Sequence, residues 1–103
     1  MKIQIHAPWQ VNPYQASVIQ QKLNKLDVYF QQIIKGDVYL KRKDGKDYLD
    51  KSVEIRLSVP QNDFFAVAFS DTIEKAVDQA VEKVRRQITK RKNQWRERAK
   101  YSN

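Results

Sequence analysis

The residues with most capacity for chemistry in this 103-residue chain are cations. Lys83, Arg85, Arg86, Lys90, Arg91, Lys92, Arg96, Arg98 and Lys100 crowd its end, with Glu97 the only acid among them. At helical spacing, Lys83, Arg86 and Lys90 fall within a narrow arc, with Lys75 and Gln79 beside it. Arg85, Lys92 and Arg96 lie on another flank. Lys22 and Lys25, three residues apart, make a second cationic pair earlier in the chain. Two such strips side by side would neutralise several phosphates, with Arg able to bind them in a bidentate manner. A plainer reading is a solubilising surface whose acids (Asp71, Glu74, Asp78, Glu82) precede its bases, as a helix dipole favours. The dipole acts mainly over the last turn, whereas this basic run covers about four turns.

Other chemistries find little support. His6 is the only histidine and there is no cysteine, which removes multi-His and thiolate metal sites, disulfides and a Cys nucleophile. Two glycines, Gly36 and Gly45, cannot form a phosphate-cradling loop. Glu74, Asp78 and Glu82 share a helix face, but beside basic neighbours and off the apolar stripe, which suits charge balance. Catalysis, metal, cofactor and small-molecule substrate are therefore not expected. Trp9 is expected to cap the edge of the core. Trp95 stands among bases, where it either stacks on a nucleic acid or folds back onto the first helix. Tyr39 and Tyr48 flank a hairpin and suit cross-strand packing.

A net charge of +8 favours a polyanionic partner, either nucleic acid or an acidic membrane surface. Hydrophobic residues make up 41% of the chain and charged ones 31%, so it should fold, and its length argues for one domain. The opening Met1-Lys2-Ile3-Gln4-Ile5-His6 alternates apolar and polar residues, unlike an export signal. No apolar run approaches a membrane span, so the cytoplasm is the expected setting.

The elements that must position the cations can be read from periodicity. Ile3 and Ile5 mark a strand. Asn12-Pro13 starts a helix, with Asn at the N-cap and Pro at the first helical position. Ala16, Ile19, Leu23, Leu26, Phe30 and Ile33 continue it as one stripe, and Gly36 is read as its stop. Val38 and Leu40 define a second strand, Asp44-Gly45 a turn, and Val53, Ile55, Leu57 and Val59 a third strand. Pro60 to Asp63 is a turn, and Phe64 to Phe69 a fourth strand, apolar on both sides and so expected to be well covered. Asp71 with Glu74 is a capping-box-like start to the last helix. Its stripe is Ile73, Ala76, Val77, Ala80, Val81, Val84 and Ile88. Beyond Ile88 the helix should project, and its last residues, Lys100 to Asn103, should fray.

The order β-α-β-β-β-α predicts an α+β fold. It is a four-stranded mixed sheet, its first two strands parallel and the rest a meander, with two helices packed on one face. Residues 1–95 form the expected single domain, and 96–103 a basic, fraying tail.

Three segments carry a further signal: Met1 to His6, Lys22-Leu23-Asn24-Lys25-Leu26, and Lys83-Val84-Arg85-Arg86-Gln87-Ile88-Thr89-Lys90. Together with the element order, over about residues 1–95, they resemble the ribosome hibernation promoting factors and their ribosome-associated inhibitor relatives. The resemblance implies binding, without chemistry, to the small ribosomal subunit and its rRNA in the mRNA and tRNA channel. Translation would stop and idle ribosomes would be preserved in stationary phase or starvation. It carries rRNA contact over to Lys22, Lys25, Lys83, Arg86 and Lys90. Arg85, Arg91 and Lys92 join them on charge alone. A free monomer is expected. Long relatives have a second domain that pairs ribosomes and some short ones an acidic tail; the closing stretch here is instead the basic Trp95-Arg96-Glu97-Arg98-Ala99-Lys100-Tyr101, followed by Ser102 and Asn103. The chief alternative is a general double-stranded RNA binder, which also lays two helices on a small sheet. A small enzyme acting on RNA and a protein-binding regulator docking through Trp95 are further readings.

Overall fold

The structure is a computed structural model and describes residues 1–42 and 50–101. The expected Asp44-Gly45 turn and Tyr48 lie outside those residues. The order is β1 (Lys2–His6), α1 (Pro13–Asn24), α2 (Leu26–Tyr29), β2 (Lys35–Arg42), β3 (Lys51–Ser58), β4 (Phe64–Ser70) and α3 (Ile73–Tyr101). The strands lie side by side in sequence order. β1 runs parallel to β2, and β2, β3 and β4 form the antiparallel meander. The α+β class, the mixed sheet and the helices on one face are as the sequence predicts.

In-register rows carry the core across the sheet. Ile3, Gly36, Leu57 and Phe64 align, as do Ile5, Val38, Ile55 and Ala66. Ile19 and Leu23 of α1, Leu26 of α2 and the stripe Ile73, Ala76, Val77, Ala80, Val84 and Ile88 of α3 close over this face. Burying a large apolar side chain contributes about 1.5–3 kcal/mol, so this layer fixes where both cationic helices sit.

Four local expectations are corrected. The first helix does not run to Gly36: α1 ends at Asn24, one further turn follows, and Phe30 is extended at φ −148°, ψ 110°. Leu26, Phe30 and Ile33 are nonetheless buried, so the stripe survives the break. Gly36 is not a helix stop but lies in β2, where a Cβ would meet Met1 Sδ at 3.0 Å and Leu57 Cδ2 at 3.2 Å. The last helix is capped by Thr72 rather than Asp71, since Thr72 Oγ1 accepts the Lys75 N–H at 3.1 Å. β4 is covered on one side only: Phe64, Ala66 and Ala68 are buried, while Phe65 and Phe69 are 40% and 53% exposed.

The Asn12 cap holds as expected, its Oδ1 accepting the Gln15 N–H at 2.7 Å. The turn before β4 has its only positive-φ residue, Gln61 at 76°, and is tied by the Val59 N–H donating to Asp63 Oδ1. Trp9 is half-buried against the core, with Arg42 4.4 Å above its ring.

Candidate nucleic-acid interface

α3 is the electrostatic centre of the molecule. Its 29 residues hold ten Lys and Arg against four Asp and Glu, a net +6 of the chain's +8. At about 1.5 Å per residue it is roughly 44 Å long, while the molecule's extents are 56 × 26 × 18 Å. The helix therefore sets the long axis. Full burial on it ends at Ile88. Beyond that point Trp95 packs towards Phe30, with ring centroids 6.0 Å apart. This is a fold-back of the expected kind, although Phe30 lies just after α2 rather than in the first helix.

The predicted cations divide by what they touch. Lys22 reaches across from α1 to Asp78 of α3 and is ion-paired with it. Lys25 is exposed at the C-terminal end of α1. Lys22, Lys25, Leu26, Tyr29, Asp78, Val81, Glu82 and Arg85 line a cleft of about 240 Å³ between α1, α2 and α3. The first-helix cations and Arg85 are thus brought together. Arg85 donates from Nε to Glu82 Oε2 at 2.9 Å and its guanidinium lies 5.9 Å from the Tyr29 ring.

Arg86 and Lys90 are exposed and, with Arg85, Thr89, Asn93, Gln94 and Glu97, line a broad open groove on the outer side of α3. Lys83 lines an adjoining open pocket with Asp78, Gln79, Glu82 and Arg86, and its Nζ reaches the sheet edge, where it donates to Val67 O at 2.7 Å. It does not join the first-helix lysines. Arg91 points inward, its guanidinium 3.7 Å over the Phe64 ring and its Nη1 buried without a hydrogen-bond partner among the described residues. Lys92 is half-buried on α3.

The acids of α3 serve as internal partners. Glu74 accepts from Gln15, Asp78 from Lys22, and Glu82 from Arg85, with Arg86 Nε 3.4 Å away. Hydrogen bonding from Arg85 holds the Glu82 carboxyl below the ordinary carboxylate range, and the same contact raises the Arg85 guanidinium. Glu74 and Asp78 link α1 to α3, and Asp78 and Glu82 neutralise part of the near end of the strip. The far end, from Lys90 onward, has only Glu97 against its bases.

Sequence reasoning missed Gln87. Its amide donates to Phe65 O at 2.6 Å and its Oε1 accepts the Phe65 N–H at 3.3 Å. The side chain imitates a neighbouring strand and, with Lys83, occupies an edge that would otherwise be open to pairing. The signal was a polar residue placed between core and cations, which no spacing rule singles out. His6 is structural, stacked on Tyr39 at 4.6 Å and 2.9 Å from Asp37 Oδ1. That bond, with Lys35 nearby, keeps the Asp37 carboxyl below its usual range.

Residues 3–96 match the family model described as Sigma 54 modulation protein / S30EA ribosomal protein. Among solved structures, the chain is similar to a ribosomal subunit interface protein from Coxiella burnetii, with a TM-score of 0.77 and 23% identity over 90% of this chain and 99% of that one. It is also similar to the Thermus thermophilus Protein Y N-terminal domain, with a TM-score of 0.73 and 21% identity over 87% and 98%. At these identities the likeness is one of fold. No curated protein matches the chain. No helix among the described residues is long and apolar enough to cross a membrane.

Proposed function

The chain belongs to the Sigma 54 modulation protein / S30EA ribosomal protein family, and on that premise we propose that it binds the ribosome, through rRNA of the small subunit, and silences it. The α1–α3 face meets rRNA phosphates, the body fills the channel used by mRNA and tRNA, and idle ribosomes are preserved by exclusion rather than by chemistry. The observation that carries this reading is the cationic surface running from Lys25 across the Arg85 cleft to Arg86 and Lys90. Arg supplies paired donors to phosphate oxygens there, and Lys supplies mobile point charges. Salt should weaken the complex steeply, because each neutralised phosphate releases counterions. Occupancy of the channel needs shape as well as charge, and the packed layer of helices on the sheet supports that part of the reading.

The test is cosedimentation with purified small subunits across a salt series, with free duplex RNA as competitor. Near one-to-one binding that resists excess duplex supports the reading. The triple variant Lys25→Glu, Arg86→Glu, Lys90→Glu should lose subunit binding while keeping its circular dichroism. Lys83 is left intact in that variant because it holds the sheet edge. Full binding by the triple variant sinks the mechanism, and free competition by duplex RNA reduces the protein to a general double-stranded RNA binder.

A further inference from the structure

Among the described residues nothing packs over the rings on the sheet face opposite the helices, and the composition of that face is unusual for a solvated surface. β4 presents Phe65 and Phe69 outward, 40% and 53% exposed. In register with Phe65 on β3 is Arg56, its guanidinium 5.5 Å from the Phe65 ring. In register with Phe69 is Ser52, and beyond it, on β2, exposed Lys41. Each exposed ring thus has a cation one or two strands away, within about 5–10 Å at sheet spacing. The acids of this face are Asp37, held by His6 and Lys35, and Glu54, in register with Val67 between the two rings.

We propose that this sheet face is a second nucleic-acid site, taking unpaired RNA bases stacked on Phe65 and Phe69 with their phosphates beside Arg56 and Lys41. Rings on an open sheet accept bases of any sequence, because every base has a π-face. Charge disfavours a second copy of this chain as the occupant, since the face carries Lys2, Lys35, Lys41 and Arg56 against only Asp37 and Glu54, and two such faces repel. An added strand from a partner protein is also disfavoured. The outward N–H and C=O of Phe65 and the C=O of Val67 are already taken by Gln87 and Lys83. The rings offer a face, not an edge. This site is separate from the helical surface, so the protein has one side for phosphates of structured RNA and one for a single strand.

The experiment is fluorescence anisotropy of a labelled oligouridylate of about ten nucleotides and of a labelled RNA hairpin duplex, at a salt concentration that suppresses phosphate-only binding. The double variant Phe65→Ala, Phe69→Ala should lose about tenfold or more in single-strand affinity, the scale of base stacking on aromatic rings. Duplex and small-subunit binding should stay unchanged. Phe65→Tyr, Phe69→Tyr should restore most of the loss, which separates stacking from a general disturbance of the sheet. Absence of single-strand binding by the native chain, or equal binding by the alanine variant, overturns the proposal. So does a native dimer in sedimentation equilibrium that the alanine variant abolishes, because the face would then be a self-association surface. The Lys25, Arg86, Lys90 variant separates the two sites: loss of subunit binding with retained oligouridylate binding is expected of it.

Discussion

The two halves of α3 carry the same kind of side chain and differ in what answers it. Between Ile73 and Gln87 the cations meet partners of their own chain. Lys75 lies 3.3 Å from Asp71, Lys83 donates to Val67 O, and Arg85 and Arg86 share Glu82, while Lys22 arrives from α1 to pair with Asp78. From Lys90 onward the helix leaves the core, although Arg91 and Trp95 turn back to Phe64 and Phe30. A cation with an internal partner must give up that partner or share it to bind a phosphate. A cation without one gives up only water and counterions. The near half is therefore tied into the scaffold, and in the proposed reading the far half would meet a polyanion at less cost. A count of bases along the helix conceals this division.

The largest expected effect breaks the scaffold half. Among the described side chains, Ile88 is the last fully buried one on α3. Ile88→Ala should cost about 2–5 kcal/mol, the range for emptying a packed core site. That is a large share of the roughly 5–15 kcal/mol that holds a domain of this size. Urea unfolding followed by circular dichroism measures it. A loss below about 1 kcal/mol would mean that α3 is not anchored as far as Ile88, and the border between the halves would move towards the N-terminus.

The next effect sharpens the comparison directly. Lys90→Gln with Arg96→Gln should weaken RNA binding and lower the slope of log K against log salt by about two, roughly one for each phosphate no longer neutralised. Lys22→Gln should change that slope little, because its ammonium is already engaged by Asp78. Its cost should appear in stability, and only modestly, as for other part-exposed ion pairs. Equal slopes for the two variants would erase the distinction between answered and unanswered cations.

Much of this architecture is legible in the sequence because it is local. The Asn12-Pro13 start, the alternation through Val53, Ile55 and Leu57, and the α3 stripe each follow from one element's own period. The parallel β1–β2 pair follows from the length of chain between them. What escaped depends on other elements. The stripe from Ile19 to Ile33 keeps its 3–4 spacing across the break at Lys25, so periodicity could not reveal it. Gly36 is needed because Met1 and Leu57 crowd it, not because a helix ends there. The apolar run of β4 indicates two faces worth covering, but no pattern within a strand says whether a second layer exists. At the site, the types and rough places of the cations were readable. Their partners were not, since Lys22 and Asp78 stand 56 residues apart and Lys83 binds a backbone oxygen.

The smallest effect concerns Glu82, the acid at the boundary of the two halves. Its carboxyl is held below its ordinary value of 4.5, first by the hydrogen bond from Arg85. A depressed carboxylate contributes stability that is fully present above the unfolded value and is lost as pH falls through the lower folded one. The contribution is small because the pair is open to water. Glu82→Gln should therefore flatten part of the acid limb of stability against pH, below about pH 4.5, and leave neutral stability nearly unchanged. Its effect on binding runs the other way. The substitution takes the net charge from +8 to +9 and releases Arg85 and Arg86 together. RNA affinity at low salt should rise, and the salt slope should steepen by about one. Conversion of two answered cations into unanswered ones is the closest test of the division drawn along α3. Were affinity and slope to stay as they are, neither arginine would be restrained by its partner, and the difference between the halves would be one of position alone.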